Sequence, residues 1–140
     1  MLAEIFVRYS HFVAIFIFGM FLVRMHLDKS ADLLRLKRVS RYTLISLIVI
    51  VFSGFGLWFF VGKDAAFYTY NGFFHLKVTL AALLAIFNVI VIFYPNNKGT
   101  PYTLRIIHAL VNGMLIVFAL LPLLAILMAS GIGFYGNDTF

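Results

Sequence analysis

Residues 71–94 read NGFFHLKVTLAALLAIFNVIVIFY, and after Lys77 no charged side chain appears before Pro95-Asn96-Asn97 closes the stretch. A bilayer hydrocarbon core takes about 20 consecutive apolar residues as a helix, so this segment has the length and composition of a membrane span. Asn71-Gly72 opens it, and Tyr68 and Tyr70 just before it suit the aromatic belt at a membrane–water interface. The Pro-Asn-Asn run is a helix terminator.

Working outward, the same pattern recurs three times. A first span covers residues 5–25 and meets the polar run Asp28-Lys29-Ser30-Ala31-Asp32. A second covers residues 42–61, with Trp58 and Phe59 as interfacial anchors before Gly62-Lys63-Asp64. A fourth covers residues 102–130; it starts beside Pro101, which a first helical turn accepts, and carries Pro122, expected to bend it. With the third span at 72–94, these segments consume nearly the whole chain of 140 residues. The sequence predicts an all-α, single-domain, four-helix transmembrane bundle over residues 1–140. The stretch from Met1 to Met25 is too long for a secretory signal and lacks a small-residue cleavage site before Asp28, so it reads as a mature helix.

Composition supports the same class. The chain is 64% hydrophobic and 11% charged, against about 45–50% apolar and 25% charged in soluble domains. The net charge of +6 does not indicate nucleic acid, because the basic residues gather at span ends and not on a hydrophilic face. Lys29, Arg35, Lys37, Arg38 and Arg41 lie between the first two spans, and Lys98 lies between the last two. The positive-inside rule places residues 26–41 and 95–101 in the cytoplasm and both termini outside, an N-out/C-out topology. Leu33 to Arg41 mixes leucines with cations and suits an amphipathic extension along the anionic inner surface. The chain has no cysteine, which excludes disulfides and thiolate metal sites.

Ionisable groups inside spans cost about 2.5–3.5 kcal/mol each on insertion scales and normally face the bundle interior or snorkel to the interface. Glu4, Arg8 and His11 share one face of the first span, and Asn71, His75 and Thr79 share one face of the third. Both spans run inward from the same side, so His11 and His75 lie at similar depths, about 6–9 Å below their helix starts. Arg105, His108 and Asn112 form a stripe on the fourth span at the opposite side, near Arg24 and His26. His26, beside Asp28 and Lys29, reads as solvated. Each of these groups has a plain alternative: a histidine hydrogen-bonded to a neighbouring helix, or Lys77, Arg8 and Arg24 snorkelling to headgroups. Ser53, Gly54, Gly56, Ala81, Ala82 and Ala85 suit either close helix packing or room for a flat cofactor.

Tyr9-Ser10-His11, Gly54-Phe55-Gly56, Tyr70-Asn71-Gly72-Phe73-Phe74-His75-Leu76-Lys77 and Leu121-Pro122-Leu123-Leu124-Ala125 resemble an uncharacterised family of small bacterial inner-membrane proteins over almost the full length. That resemblance implies the fold and carries no activity. His75-Leu76-Lys77, with His11, Gly19 and Arg24, is also distantly similar to HemJ-type protoporphyrinogen oxidases. It implies haem b, with His11 and His75 as iron ligands and Arg24 and Lys77 as contacts to substrate or propionate. From its own place beside Glu4 and His11, Arg8 suits an acidic ligand such as a propionate, and the Arg105, His108 and Asn112 stripe supplies secondary candidates. A third resemblance, to the membrane domain of CopD-type copper-uptake proteins, rests on the small-residue second span and the lysine of the third.

The leading expectation is a haem-binding membrane redox protein, with a porphyrin or quinone-like molecule as its small-molecule partner. The alternative is a non-enzymatic subunit of a membrane complex or a small metal transporter; a homo-oligomer fits either. Substitution of His11 or His75 by alanine is expected to remove a haem spectrum, and substitution of His26 to leave it.

Overall fold

The computed structural model describes residues 2–28, 32–61, 65–95 and 101–133. Its helices are α1 (Leu2–Leu27), α2 (Leu33–Gly56) with a π-helical turn (Leu57–Val61) continuing it, the short α3 (Ala65–Thr69), α4 (Gly72–Phe93) and α5 (Pro101–Ala129). Four of them are long and apolar enough to cross a membrane. No strand occurs among the described residues, as expected where lipid leaves an unpaired backbone no hydrogen-bonding partner. The chain is an all-α membrane protein.

The long helices neighbour one another around the bundle in the order α1, α2, α4, α5, and α5 closes the ring against α1. The outer surface is apolar. Phe6, Phe16, Phe52 and Phe93 are each more than 70% exposed, which suits side chains solvated by acyl chains.

Polar groups set the helix ends. Asp32 caps α2, its carboxylate accepting the Arg35 N–H at 2.8 Å, and Asn71 caps α4 by accepting the Phe73 N–H at 3.0 Å. Each satisfies a first-turn donor that has no helical partner. Asn71 also ties α4 to the end of α5, because its Nδ2 donates to the Ile132 carbonyl while the Gly72 N–H donates to the Gly133 carbonyl at 2.9 Å. Gly133 has φ +83°, and a Cβ there would stand 2.5 Å from the Phe73 ring. Only glycine fits that joint without strain.

Two features of α2 and α5 bear on the sequence reading. Residues 33–41 do extend a helix, as the first turns of α2, but Leu33 and Leu36 are buried against Met25, Val91 and Ile107 and do not lie along the membrane surface. Lys37, also buried, donates to the Tyr94 carbonyl and so fastens the end of α4. α5 remains one helix through Pro122.

The interior divides along its length. Met25, Leu36, Val91, Ile107 and Val111 fill the end that carries the basic residues, and Phe18, Leu22, Leu47, Leu84 and Met114 fill the middle. A buried polar bond crosses this packed region: the Ser40 hydroxyl donates to Asn88 Oδ1 at 2.9 Å, while Asn88 Nδ2 bonds the Leu84 carbonyl. Toward the other end the packing stops.

Candidate functional site

The unfilled end holds a cavity of about 380 Å³ between α1, α2, the π-helical turn and α4. Small side chains make the space: Gly54 on α2, and Ala81, Ala82 and Ala85 on α4, all line it. Of the two uses those small residues suited, the structure shows both: Gly54 and Gly56 let α2 approach His11 and Val7 of α1, while Gly54 and the alanines leave room. Trp58, Phe74 and Tyr68 form an aromatic wall, with Trp58 and Phe74 centroids 4.9 Å apart and Tyr68 and Phe74 5.5 Å apart. Trp58 sits in the π-helical turn, where one extra residue re-aims the side chains that follow.

Three polar side chains interrupt this apolar lining: His11, Lys77 and Tyr68. His11 is buried, and its Nδ1 lies 2.8 Å from Ser53 Oγ. The Ser53 hydroxyl has one proton, and its oxygen stands 2.6 Å from the Val49 carbonyl one helical turn back. That carbonyl only accepts, so the network assigns the serine proton to it and makes Nδ1 the donor toward Ser53. In the neutral ring Nε2 is then left with its lone pair. Gly54 lies beside the ring, where an added Cβ would make ordinary van der Waals contact with the imidazole at 3.5 Å.

Lys77 is half-buried at the same cavity and close enough to His11 to act on it electrostatically. Its ammonium makes no hydrogen bond or ion pair among the described residues. A cation placed in an apolar hollow without a counter-charge favours an anionic or strongly electronegative occupant.

The other candidates lie elsewhere. His75 is exposed, and its Nε2 is 2.8 Å from the Thr69 carbonyl at the end of α3; it does not line the cavity. Equal depth along parallel helices does not bring His11 and His75 together, because α1 and α4 stand diagonally across the ring and side-chain direction decides what a residue faces. Arg8 is exposed and pairs with Glu4 at 2.9 Å. Arg24 lies about 20 Å along α1 from His11 at about 1.5 Å per residue, at the basic end. Arg105 and Asn112 are exposed and His108 half-buried on α5 at that same end. His26 is not merely solvated there: its Nδ1 meets Asn112 Oδ1 at 2.7 Å.

In sequence Trp58 and Tyr68 suit interfacial anchors, Ser53 is one of the small residues and Phe74 carries no role of its own; the structure makes all four parts of the site. A serine immediately before Gly54 gives no sequence signal of a histidine partner on another helix. Among the described residues no group of three or more His, Asp or Glu stands ready for a metal ion.

No curated protein matches the chain, and no solved structure does. The likenesses to HemJ-type and CopD-type proteins therefore draw nothing from these comparisons. A family model described as "Predicted membrane protein (DUF2214)" matches residues 3–133. A match that covers nearly every span, with the all-α bundle it implies, means that the chain belongs to the DUF2214 family of membrane proteins.

Proposed function

We propose that the chain is a cofactor-binding redox protein of the bacterial inner membrane, holding haem b in its cavity through His11. The observation that carries this reading is the placement of His11: it lines the aromatic hollow with Nδ1 anchored 2.8 Å from Ser53 Oγ, an arrangement that leaves Nε2 as the acceptor of the neutral ring. Metal-ligating histidines commonly donate their second ring nitrogen to such an anchor. The donor set fits one axial bond. His75 is turned to the Thr69 carbonyl, so the arrangement supports a single-histidine site over a bis-histidine one.

The chain's own residues divide the work. Ser53 orients the imidazole, Lys77 offers a cation to a propionate, and Trp58, Phe74 and the α4 alanines give a flat apolar bed that keeps water out. Haem b would supply one-electron chemistry, its potential tuned by the histidine and by burial.

A quinone-like ring is the second reading, and the pairing of His11 with Lys77 favours it. One acceptor and one donor border an apolar slab, which complements the reduced form, a quinol, with one O–H donating to His11 and the other oxygen accepting from Lys77. The volume lies toward the lower end of the roughly 300–1,000 Å³ usual for small-molecule pockets.

An absorption spectrum of detergent-purified protein from haem-replete cells separates these readings. The haem reading requires a Soret band that His11→Ala abolishes and His75→Ala leaves. A colourless protein ends it; extraction of a quinone from that colourless protein supports the second reading, and co-purification with other membrane subunits supports an accessory role.

A further inference from the structure

The opposite end of the bundle has a second hollow, of about 220 Å³, between α1 and α2. Three guanidinium groups line it: Arg24 from α1, and Arg35 and Arg38 from α2. Arg35 is balanced by Asp28 at 3.2 Å. The side chains of Arg24 and Arg38 make no ion pair or hydrogen bond among the described residues. Among the described residues, Arg24 and Arg38 thus bring two positive charges to the hollow without an ion-pair partner.

Its remaining walls are not those of a water-filled surface notch. Phe21 and Tyr42 line it on the membrane side, with their rings stacked at 5.8 Å and 23°. Arg24 lies within the last turn of α1, and Arg38 lies little more than one turn into α2. Both therefore stand about 5–8 Å inside their helix ends at about 1.5 Å per residue, where phospholipid headgroups meet acyl chains. The planar guanidinium fork matches two phosphate oxygens at once.

We propose that this hollow binds the phosphate of an anionic phospholipid, with Arg24 and Arg38 holding the phosphate oxygens and the Phe21–Tyr42 stack lying along the start of an acyl chain. A free phosphate ion shares the charge chemistry and has no use for the aromatic wall. The Lys/Arg asymmetry assigns the bound lipid to the cytoplasmic leaflet, where anionic headgroups attract basic segments.

The test is native mass spectrometry of the full chain in neutral detergent, titrated with phosphatidylglycerol and, separately, with phosphatidylcholine. Phosphatidylglycerol is expected to bind preferentially as a single retained lipid. Arg24→Gln and Arg38→Gln should each weaken it about fivefold, corresponding to about 1 kcal/mol per basic side chain at an anionic surface, and the double variant about 25-fold if the two add. Arg105→Gln removes the same charge from the same end outside the hollow and should change binding less than twofold; equal weakening by Arg105→Gln would mean a diffuse surface field and overturn the proposal. Equal retention of phosphatidylcholine would overturn it too, as would displacement of the lipid by millimolar inorganic phosphate. All these arginines are exposed, so melting in neutral detergent should be unchanged, and each single variant remains informative should the double variant not fold.

Discussion

The two ends of the bundle are built from equally apolar helices and differ in how they fill the space between them. In the middle and at the basic end, Phe18, Leu22, Leu84, Ile107 and Met114 are at most 1% exposed. At the other end, alanines and Gly54 face each other across a cavity. Lipid solvates a leucine about as well as a protein core does, so helices associate in a bilayer through packing and polar bonds. The packed region supplies both, including Ser40 to Asn88. The hollow end is held at its rim instead, by Asn71, Gly72 and Gly133. The comparison separates a part that maintains the fold from a part that the fold leaves open for an occupant.

The sharpest way to break it is to damage the packed part. Phe18→Ala removes a buried ring that lies 5.3 Å from Phe118. It should cost about 2–4 kcal/mol, somewhat under the range for water-soluble cores because lipid solvates the side chain in the unpacked state. Reversible unfolding in mixed micelles measures this, and a loss below about 1 kcal/mol would mean that the packed end does not carry the stability.

The rim comes next. Gly133→Ala must place a side chain at φ +83° against the Phe73 ring, with an expected cost of about 1–3 kcal/mol. The damage should be local, appearing in hydrogen–deuterium exchange as faster exchange at the start of α4 and not around Leu84. Uniform loosening of all four helices would show that the two ends do not behave separately.

Ser40→Ala probes the polar bond inside the packed part. It should cost about 0.6 kcal/mol and not more than about 1.7, the span measured for hydrogen bonds between membrane helices. A double-mutant cycle with Asn88→Ala isolates the pair, and zero coupling would assign Asn88 to its bond with the Leu84 carbonyl alone.

The smallest expected change in stability comes from filling the hollow. Ala81→Leu adds apolar volume to empty space and should move the unfolding free energy by less than about 1 kcal/mol, while abolishing binding of any flat ligand. Clear destabilisation would show that the space is not available. Retained haem or quinone with normal stability would move the ligand site elsewhere.

Much of the fold was legible from residues 71–94 and their three counterparts, because insertion into lipid imposes length, apolarity and charge asymmetry on consecutive residues. The beginning of α2 was less legible. Arg35, Lys37, Arg38 and Arg41 look like an interfacial segment by composition, yet the spacing of Leu33 and Leu36 lets these turns pack on Val91 and Ile107, which local charge does not report.

At the site, sequence determined that His11 and Lys77 had to be accommodated inside a membrane, since their desolvation cost is a property of the residues. It also determined that small residues on the second and third spans would bring backbones close or leave a gap. Which of those occurred was decided only in three dimensions. The rotation of each helix about its axis sets what a side chain faces, and that rotation depends on packing against partners distant in sequence. It turns His11 toward Ser53 and the cavity, His75 outward to the Thr69 carbonyl, and Arg24 toward Arg38 at the far end. Depth along a helix can be counted from the sequence; azimuth is fixed by tertiary contacts.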